Sequence, residues 1–440
     1  MKNFLKLCSL VSLFAITLAL FPPALRAQRW VYVNDNNPAN GGNTVTGFVN
    51  APLNKLLPIP GSPWPTGGTG LGNTLAVKNQ ALYTLGTGTT NACLFISDPA
   101  PQGTGFPNGD IAVFNVNTVT GNLTPAAPPR YPSYHGFSGN HAGIPLATGG
   151  KTLYAAWTLS NMIEVWAISV NTPFNCTLIP STALHNAVAA VGLHGGYVEG
   201  MAEAHNYKDL AVAYGDGSIQ AFKTAGLAIV PACAASNSTG FTDGNLGLPS
   251  GVDITKDSKY AIFGDSSATF TNVTELETEP LPFCGTVSKD FGGPITASAT
   301  NLGPAVDASN VWLSPGANSS NGTFIYAANA VTGQITAVNY LEGPDTMTLA
   351  GIAPVCTAGY TNPTVLHNSG TWTADAGIQT SATTGTGKRI YVAEYGSPSS
   401  VALLQVDASG CTKEGLLSPF ADIHSINGAL SLNAWPPRPF

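Results

Sequence analysis

Asn140 to Ile168 reads NHAGIPLATGGKTLYAAWTLSNMIEVWAI. It holds an apolar run from Ala142 to Ala147, a Gly149-Gly150 turn, a Leu153-Tyr154-Ala155-Ala156 strand, a polar connection at Ser160-Asn161, and an alternating run from Ile163 to Ile168. Short strands separated by Gly, Asn and Ser, with period-two alternation, predict an antiparallel meander and not helices.

The unit recurs along the chain. Its second strand aligns with Trp30-Val31-Tyr32-Val33, Ala81-Leu82-Tyr83-Thr84, Asp209-Leu210-Ala211-Val212, Lys259-Tyr260-Ala261-Ile262, Phe324-Ile325-Tyr326-Ala327 and Arg389-Ile390-Tyr391-Val392. Subtracting the positions of the third-column residues (32, 83, 154, 211, 261, 326 and 391) gives spacings of 51, 71, 57, 50, 65 and 65. Seven copies of one supersecondary element predict an all-β, seven-bladed β-propeller of four-stranded antiparallel blades, because no blade can bury both faces without its neighbours. The first unit offers Trp30–Asn34, Thr44–Val49 and Lys55–Ile59 but no innermost strand, so the C-terminal stretch Ser425–Asn433 is expected to supply it and close the ring. In the second unit the Gly-, Thr- and Pro-rich segment from Gly86 to Asp110 reads as a loop insertion between second and third strands.

Residues 1–27 stand apart. Lys2 and Lys6, an apolar run from Leu7 to Phe21, then Pro22-Pro23 and Ala27 read as a secretory signal cleaved after Ala27, which leaves 28–440 as one propeller domain. The apolar run is shorter than the ~20 residues of a membrane span. No span is expected after cleavage. With Lys2, Lys6 and Arg26 removed from the 17 basic residues, 14 remain against 24 acidic ones. An acidic chain of this kind lacks the clustered cations that nucleic acid or anionic lipid requires. Six cysteines remain (Cys93, Cys176, Cys233, Cys284, Cys356 and Cys411), without metal or redox spacing, and an even count in an exported chain favours disulfides. Sequential pairing, 93 with 176, 233 with 284 and 356 with 411, would tie neighbouring blades. The expected location is secreted or periplasmic, and a closed ring is expected to be a monomer.

Several stretches then point to a family. Leu56-Leu57-Pro58-Ile59-Pro60-Gly61-Ser62-Pro63-Trp64-Pro65-Thr66-Gly67, the run Ile111 to Pro125, and Thr148-Gly149-Gly150-Lys151-Thr152-Leu153-Tyr154 resemble the strand endings and turns of lactonase-type propellers with YVTN-like repeats. The resemblance covers most of the mature chain, and its motifs are structural turns. It implies a histidine just before an inner strand, a place His141 matches, with an arginine and a glutamate from later blades. The sequence departs from that pattern: Leu248 to Asp253 carries no Arg-His pair, and the fifth unit's second strand ends Gly264-Asp265.

Whatever the family, the loops leading into the inner strands of a propeller converge at one mouth of its channel. The repeat map places His135 and His141 there for the third blade, and His185, His194 and Glu199 for the fourth. It adds Asp243 for the fifth, Asp307 for the sixth, His367 for the seventh and His424 for the closing strand. Imidazoles and carboxylates gathered from several blades suit acid/base work, polar ligand contacts or a transition metal; solvated loop histidines are the plain alternative. No metal ligand set or cofactor is specified by the spacing. Asp35-Asn36-Asn37 and Asp216-Gly217-Ser218 lack a full calcium cage and read as turns. The reading is an exported, lactonase-like propeller that binds a small polar or sugar-like ligand, or a protein partner, at the channel mouth. The alternatives are a hydrolase of an unphosphorylated lactone using His141, His194 and Glu199, and a metal site built from the same histidines.

Overall fold

The computed structural model describes residues 30–51, 54–72, 80–84, 91–102, 108–134, 146–157, 160–180, 187–190, 196–216, 218–232, 251–255, 257–266, 274–282, 311–315, 322–329, 334–341, 346–351, 355–367, 379–381, 389–394, 399–421 and 431–435. These form seven antiparallel sheets and no helix. Among them no helix is long and apolar enough to cross a membrane.

The innermost strands are Ser431–Trp435 for blade 1, Gln80–Thr84 for blade 2, Leu146–Gly149 for blade 3 and Val198–Glu203 for blade 4. Gly251–Ile254, Val311–Pro315 and Gln379–Ser381 serve blades 5, 6 and 7. Each touches the next in that order, and the seventh touches the first, so the wheel is closed. Ser431–Trp435 pairs with Trp30–Asn34 in antiparallel register, Trp30 facing Trp435 and Asn34 facing Ser431. The expected closure by the C-terminus is borne out, with the described strand, Ser431–Trp435, ending two residues beyond the stretch that alternation suggested. Every sheet has at least four strands except blade 5, where Gly251–Ile254, Tyr260–Ser266 and Thr274–Pro280 are the three among the described residues.

The core sits in the clefts between blades. Trp30, Tyr32, Leu94, Ile96 and Phe114 fill the cleft between blades 1 and 2, and Phe95, Leu153, Trp157 and Trp166 the next. Tyr154, Val165, Val212 and Phe222 continue the pattern between blades 3 and 4. The tyrosine column is core: Tyr32, Tyr154, Tyr326 and Tyr391 are each 0% exposed. Rings of this size dominate the burial free energy of such a cleft.

Blade 2 corrects the sequence reading. The stretch from Gly86 to Asp110 is not a loop insertion: Asn91–Asp98 within it is the second strand, and Gln80–Thr84 is the inner one. Ala92 through Asp98 are all buried, so both faces of the strand are covered and it reads ACLFISD with no alternation. A strand buried on both faces loses the period-two signal by which a half-exposed strand is recognised. Phe95, not Tyr83, therefore occupies the column. In blade 5 the described third strand is Thr274–Pro280.

Cys93–Cys176 and Cys356–Cys411 are disulfides, each joining neighbouring blades. Cys233 and Cys284 lie outside the described residues, as do 1–27. The first bridge closes a separation of 83 residues. Constraining a loop of that length in the unfolded chain is worth about 4.5 kcal/mol in the chain-entropy account. The Cys93→Ser/Cys176→Ser chain should lose that amount in equilibrium denaturant unfolding, and reductant should then change the wild-type midpoint but move the double variant less.

Candidate functional site at the mouth of the channel

Two faces of the wheel follow from strand direction alone. One carries the starts of the inner strands and the turns between second and third strands; the other carries the turns from first to second and from third to fourth. Charge divides between them. Among the described residues Lys55, Lys151, Lys208, Lys223, Lys259, Arg389 and Lys413 all stand at the second face, mixed with acids. The first face has Asp35, Asp98, Asp110, Glu164, Glu199, Asp216 and Glu394, and Arg130 as its one described cation. Arg130 is already engaged, its Nε donating to Asp110 Oδ1 at 3.0 Å and a second nitrogen paired with Oδ2.

The accessible part of this acidic face is in blade 4. Glu199 is the second residue of the inner strand Val198–Glu203, whose register against Asp209–Tyr214 shifts between Val198 and Gly200. That irregularity sets the half-buried Glu199 over Gly215, where a Cβ would lie 2.3 Å from Glu199 Oε1. Beside it, Asp216 Oδ2 accepts the Gly196 N–H at 2.8 Å, and Oδ1 accepts the Ser218 N–H at 3.0 Å as well as the Ser218 hydroxyl. Asp216 is thus a turn residue, as the sequence suggested, yet both carboxylates rest on glycine backbone at the start of an inner strand. Glycine at 196 and 215 is what lets them come so close.

Buried acids lie behind this rim in the clefts. Asp98 is 0% exposed and Oδ1 accepts from Asn43 Nδ2 at 2.6 Å and Thr66 Oγ1 at 3.1 Å, while Oδ2 has no hydrogen-bond partner. Its burial, with Asp110 adding to it, holds its carboxyl far above the usual range against those two hydrogen bonds. Glu164 accepts the Ser133 hydroxyl and the Tyr134 N–H between blades 2 and 3. Glu394 ends the second strand of blade 7, takes the Ser400 hydroxyl, and is pushed up to about 7, chiefly by burial and further by Glu414. A carboxyl poised there can give or take a proton near neutrality.

Of the residues expected at the mouth, only Glu199 and His367 are described. Glu199 is on the expected face. His367 is not at an inner-strand start: its ring Nδ1 is 2.6 Å from Glu414 Oε2, and its N–H donates to the same oxygen at 2.7 Å. Glu414 belongs to the outermost strand of blade 7, Thr412–Glu414, so His367 is held in the outer part of the cleft between blades 6 and 7. The cause is the segment before it. Thr364–Val365 pairs with the third strand of blade 6, and Thr364 Oγ1 donates to Thr412 O at 2.9 Å, which carries the chain outward. His135, His141, His185, His194, Asp243, Asp307 and His424 lie outside the described residues. Among the described residues no three His, Cys, Asp or Glu side chains are placed to hold a metal ion.

The buried acids escaped the sequence reading, although a signal exists. Asn34-Asp35, Ser97-Asp98 and Ala393-Glu394 each put a carboxylate at the end of a second strand. Placing Tyr83 in the column instead of Phe95 hid the middle one.

No protein-family model matches the chain, and no curated protein matches it significantly. Solved structures do share its fold. A Bacteroides uniformis protein provisionally assigned as a 6-phosphogluconolactonase is 11% identical, with a TM-score of 0.59 over 92% of this chain and 99% of that one. A Bacteroides fragilis protein of the same provisional assignment is 13% identical, with a TM-score of 0.55 over 94% and 99%. The chain is a seven-bladed β-propeller like these structures, and at these identities the likeness extends to the fold alone.

Proposed function

We propose that this protein acts outside the cytoplasm as a monomeric propeller that binds a small, uncharged, hydroxyl-rich ligand at the channel mouth. Glu199 and Asp216 are its contacts in blade 4, and His141 and His194 complete the mouth from the preceding loops. His135, His185, Asp243, Asp307 and His424 are further contacts from the blades around it. The observation that carries the reading is the segregation of charge. The mouth face presents Glu199 and Asp216 as its accessible described acids, and its one described cation, Arg130, is held by Asp110, so it accepts hydrogen bonds from hydroxyl groups and disfavours phosphate, which needs Arg or Lys clamps. The two interblade disulfides support an oxidising compartment.

A second reading, hydrolysis of an unphosphorylated sugar lactone, is favoured by the lactonase-like fold and by acids on the mouth face. In it Glu199 or His194 activates water and His141 polarises the carbonyl. A pH-stat assay with glucono-δ-lactone and calorimetric titration with gluconate and glucose test both readings. Binding of glucose with a dissociation constant that rises at least tenfold in Glu199→Gln supports the binding role. Turnover above background that falls 100-fold in His194→Ala supports the hydrolase. Phosphorylated ligand binding as well as its neutral counterpart would overturn the charge argument.

A further inference from the structure

The opposite face holds a second polar cluster, in the cleft between blades 3 and 4, that is separate from the channel-mouth proposal. Glu203 is the last residue of the inner strand Val198–Glu203 and is partly exposed. Its Oε1 accepts the Tyr154 hydroxyl at 3.0 Å, and its Oε2 is buried with no hydrogen-bond partner. Tyr154 is 0% exposed and comes from the neighbouring blade, with the Thr152 and Thr224 hydroxyls beside its own. At the edge of the cleft the Tyr207 ring lies over Gly150, where a Cβ would be 3.4 Å from the ring, so this half-exposed ring bridges the turns of the two blades. Thr224 Oγ1 donates to Tyr207 O at 2.8 Å and fastens that turn to the cleft. His205 stands between Glu203 and Tyr207 in the chain. The nearby cations are otherwise engaged: Lys223 and Lys208 act on Asp209, and no cation is among the causes that set the Glu203 carboxyl.

A buried carboxyl ordinarily has its oxygens satisfied or has a cation beside it. Here one oxygen has neither, and the half-exposed Tyr207 ring lies over the Gly150 turn of the neighbouring blade. Carboxylate plus aromatic face is the chemistry that recognises an organic ammonium.

We propose that the cleft between blades 3 and 4, on the face away from the channel mouth, binds a small primary alkylammonium. The ammonium donates to Glu203 Oε2, Tyr154 holds the other oxygen, and Tyr207 covers the alkyl chain. The terminal carboxyl torsion of glutamate is soft, so Oε2 can turn toward an entering group without disturbing the strand. Burial first, opposed by the Tyr154 hydrogen bond, pushes Glu203 up to about 8, so the ammonium must take the place of its proton.

The test uses the full mature chain and n-butylammonium chloride, followed by amide chemical shifts, with butanol and tetramethylammonium as controls. Saturable shifts at blades 3 and 4 are expected with n-butylammonium alone. The apparent affinity should rise several-fold from pH 7 to pH 8, above the ordinary imidazole range, so the change is not that of His205. Glu203→Gln should weaken binding at least tenfold and abolish the pH dependence. Tyr207→Ser, a substitution at a half-exposed position that leaves the core intact, should weaken it several-fold and serves if the first variant folds poorly. No saturation, equal shifts with butanol, or unchanged affinity in both variants would overturn the site.

Discussion

A chain ending at Leu430 should fail to reach the native state. It lacks Ser431–Trp435, the inner strand that pairs with Trp30–Asn34 and touches the inner strands of blades 2 and 7. Val31, Tyr32 and Val33 of that partner strand are each 0% exposed in the closed ring. Re-exposing side chains of this kind costs roughly 1.5–3 kcal/mol apiece, and three of them approach the ~5–15 kcal/mol that holds a whole domain together. The open edge also becomes a template for pairing between molecules. Near-ultraviolet circular dichroism should lose its tertiary signal, and size exclusion should show aggregates. A monomeric truncated chain melting within about 3 °C of the full one would show that closure contributes little.

Gly68→Ala should be strongly destabilising. A Cβ at position 68 would lie 2.2 Å from Asp98 Oδ2, 2.3 Å from its Cγ and 2.4 Å from its Cβ. Asp98 cannot retreat, because Asn43 and Thr66 hold it and it is fully buried between blades 1 and 2. Overpacking of this kind costs roughly 3 kcal/mol. Since the clash reaches the Asp98 Cβ, Asp98→Gly and not Asp98→Ala should recover part of the loss in the same chain. This non-additivity is the signature of direct contact, and denaturant midpoints of the two singles and the double variant measure it.

The same carboxyl gives a pH test with a definite sign. Because burial holds Asp98 above its unfolded range, the folded state binds the extra proton. Its contribution to stability is therefore greatest below the unfolded value near pH 4 and is lost as pH rises toward the folded one. Asp98→Asn keeps the shape and removes the titration. The variant should be comparable to wild type at pH 5 and gain on it by pH 8. A difference between the two proteins that does not change over that range would show that Asp98 is not held protonated.

Much of the fold was legible in the primary structure, because each blade repeats one amphipathic plan. Ser218–Phe222 is buried throughout, yet polar and apolar residues still alternate along it, and that alternation marks it as a strand. In Asn91–Asp98 the residues from Ala92 to Ile96 are apolar on both faces, so no alternation is left and the strand passes for a loop. The closing strand could be anticipated because the first unit visibly lacked a partner. Where that strand ends could not, since its register is fixed by pairing with Trp30–Asn34, far away in the chain.

What only the tertiary structure decided is which side chains share a cleft. Asp98 meets Asn43 and Thr66 across two blades, Glu203 meets Tyr154 across two others, and His367 is drawn outward to Glu414. In one dimension these are isolated polar residues in Gly- and Thr-rich surroundings. Burial is what raises the Asp98 and Glu203 carboxyls and leaves an oxygen of each unpartnered, and burial is a property of neighbouring blades, not of local sequence. The sequence alone determined seven units, a wheel and an acidic chain; folding the wheel separated that charge into one acidic face and one mixed face, because strand direction sends every inner strand's start to the same side.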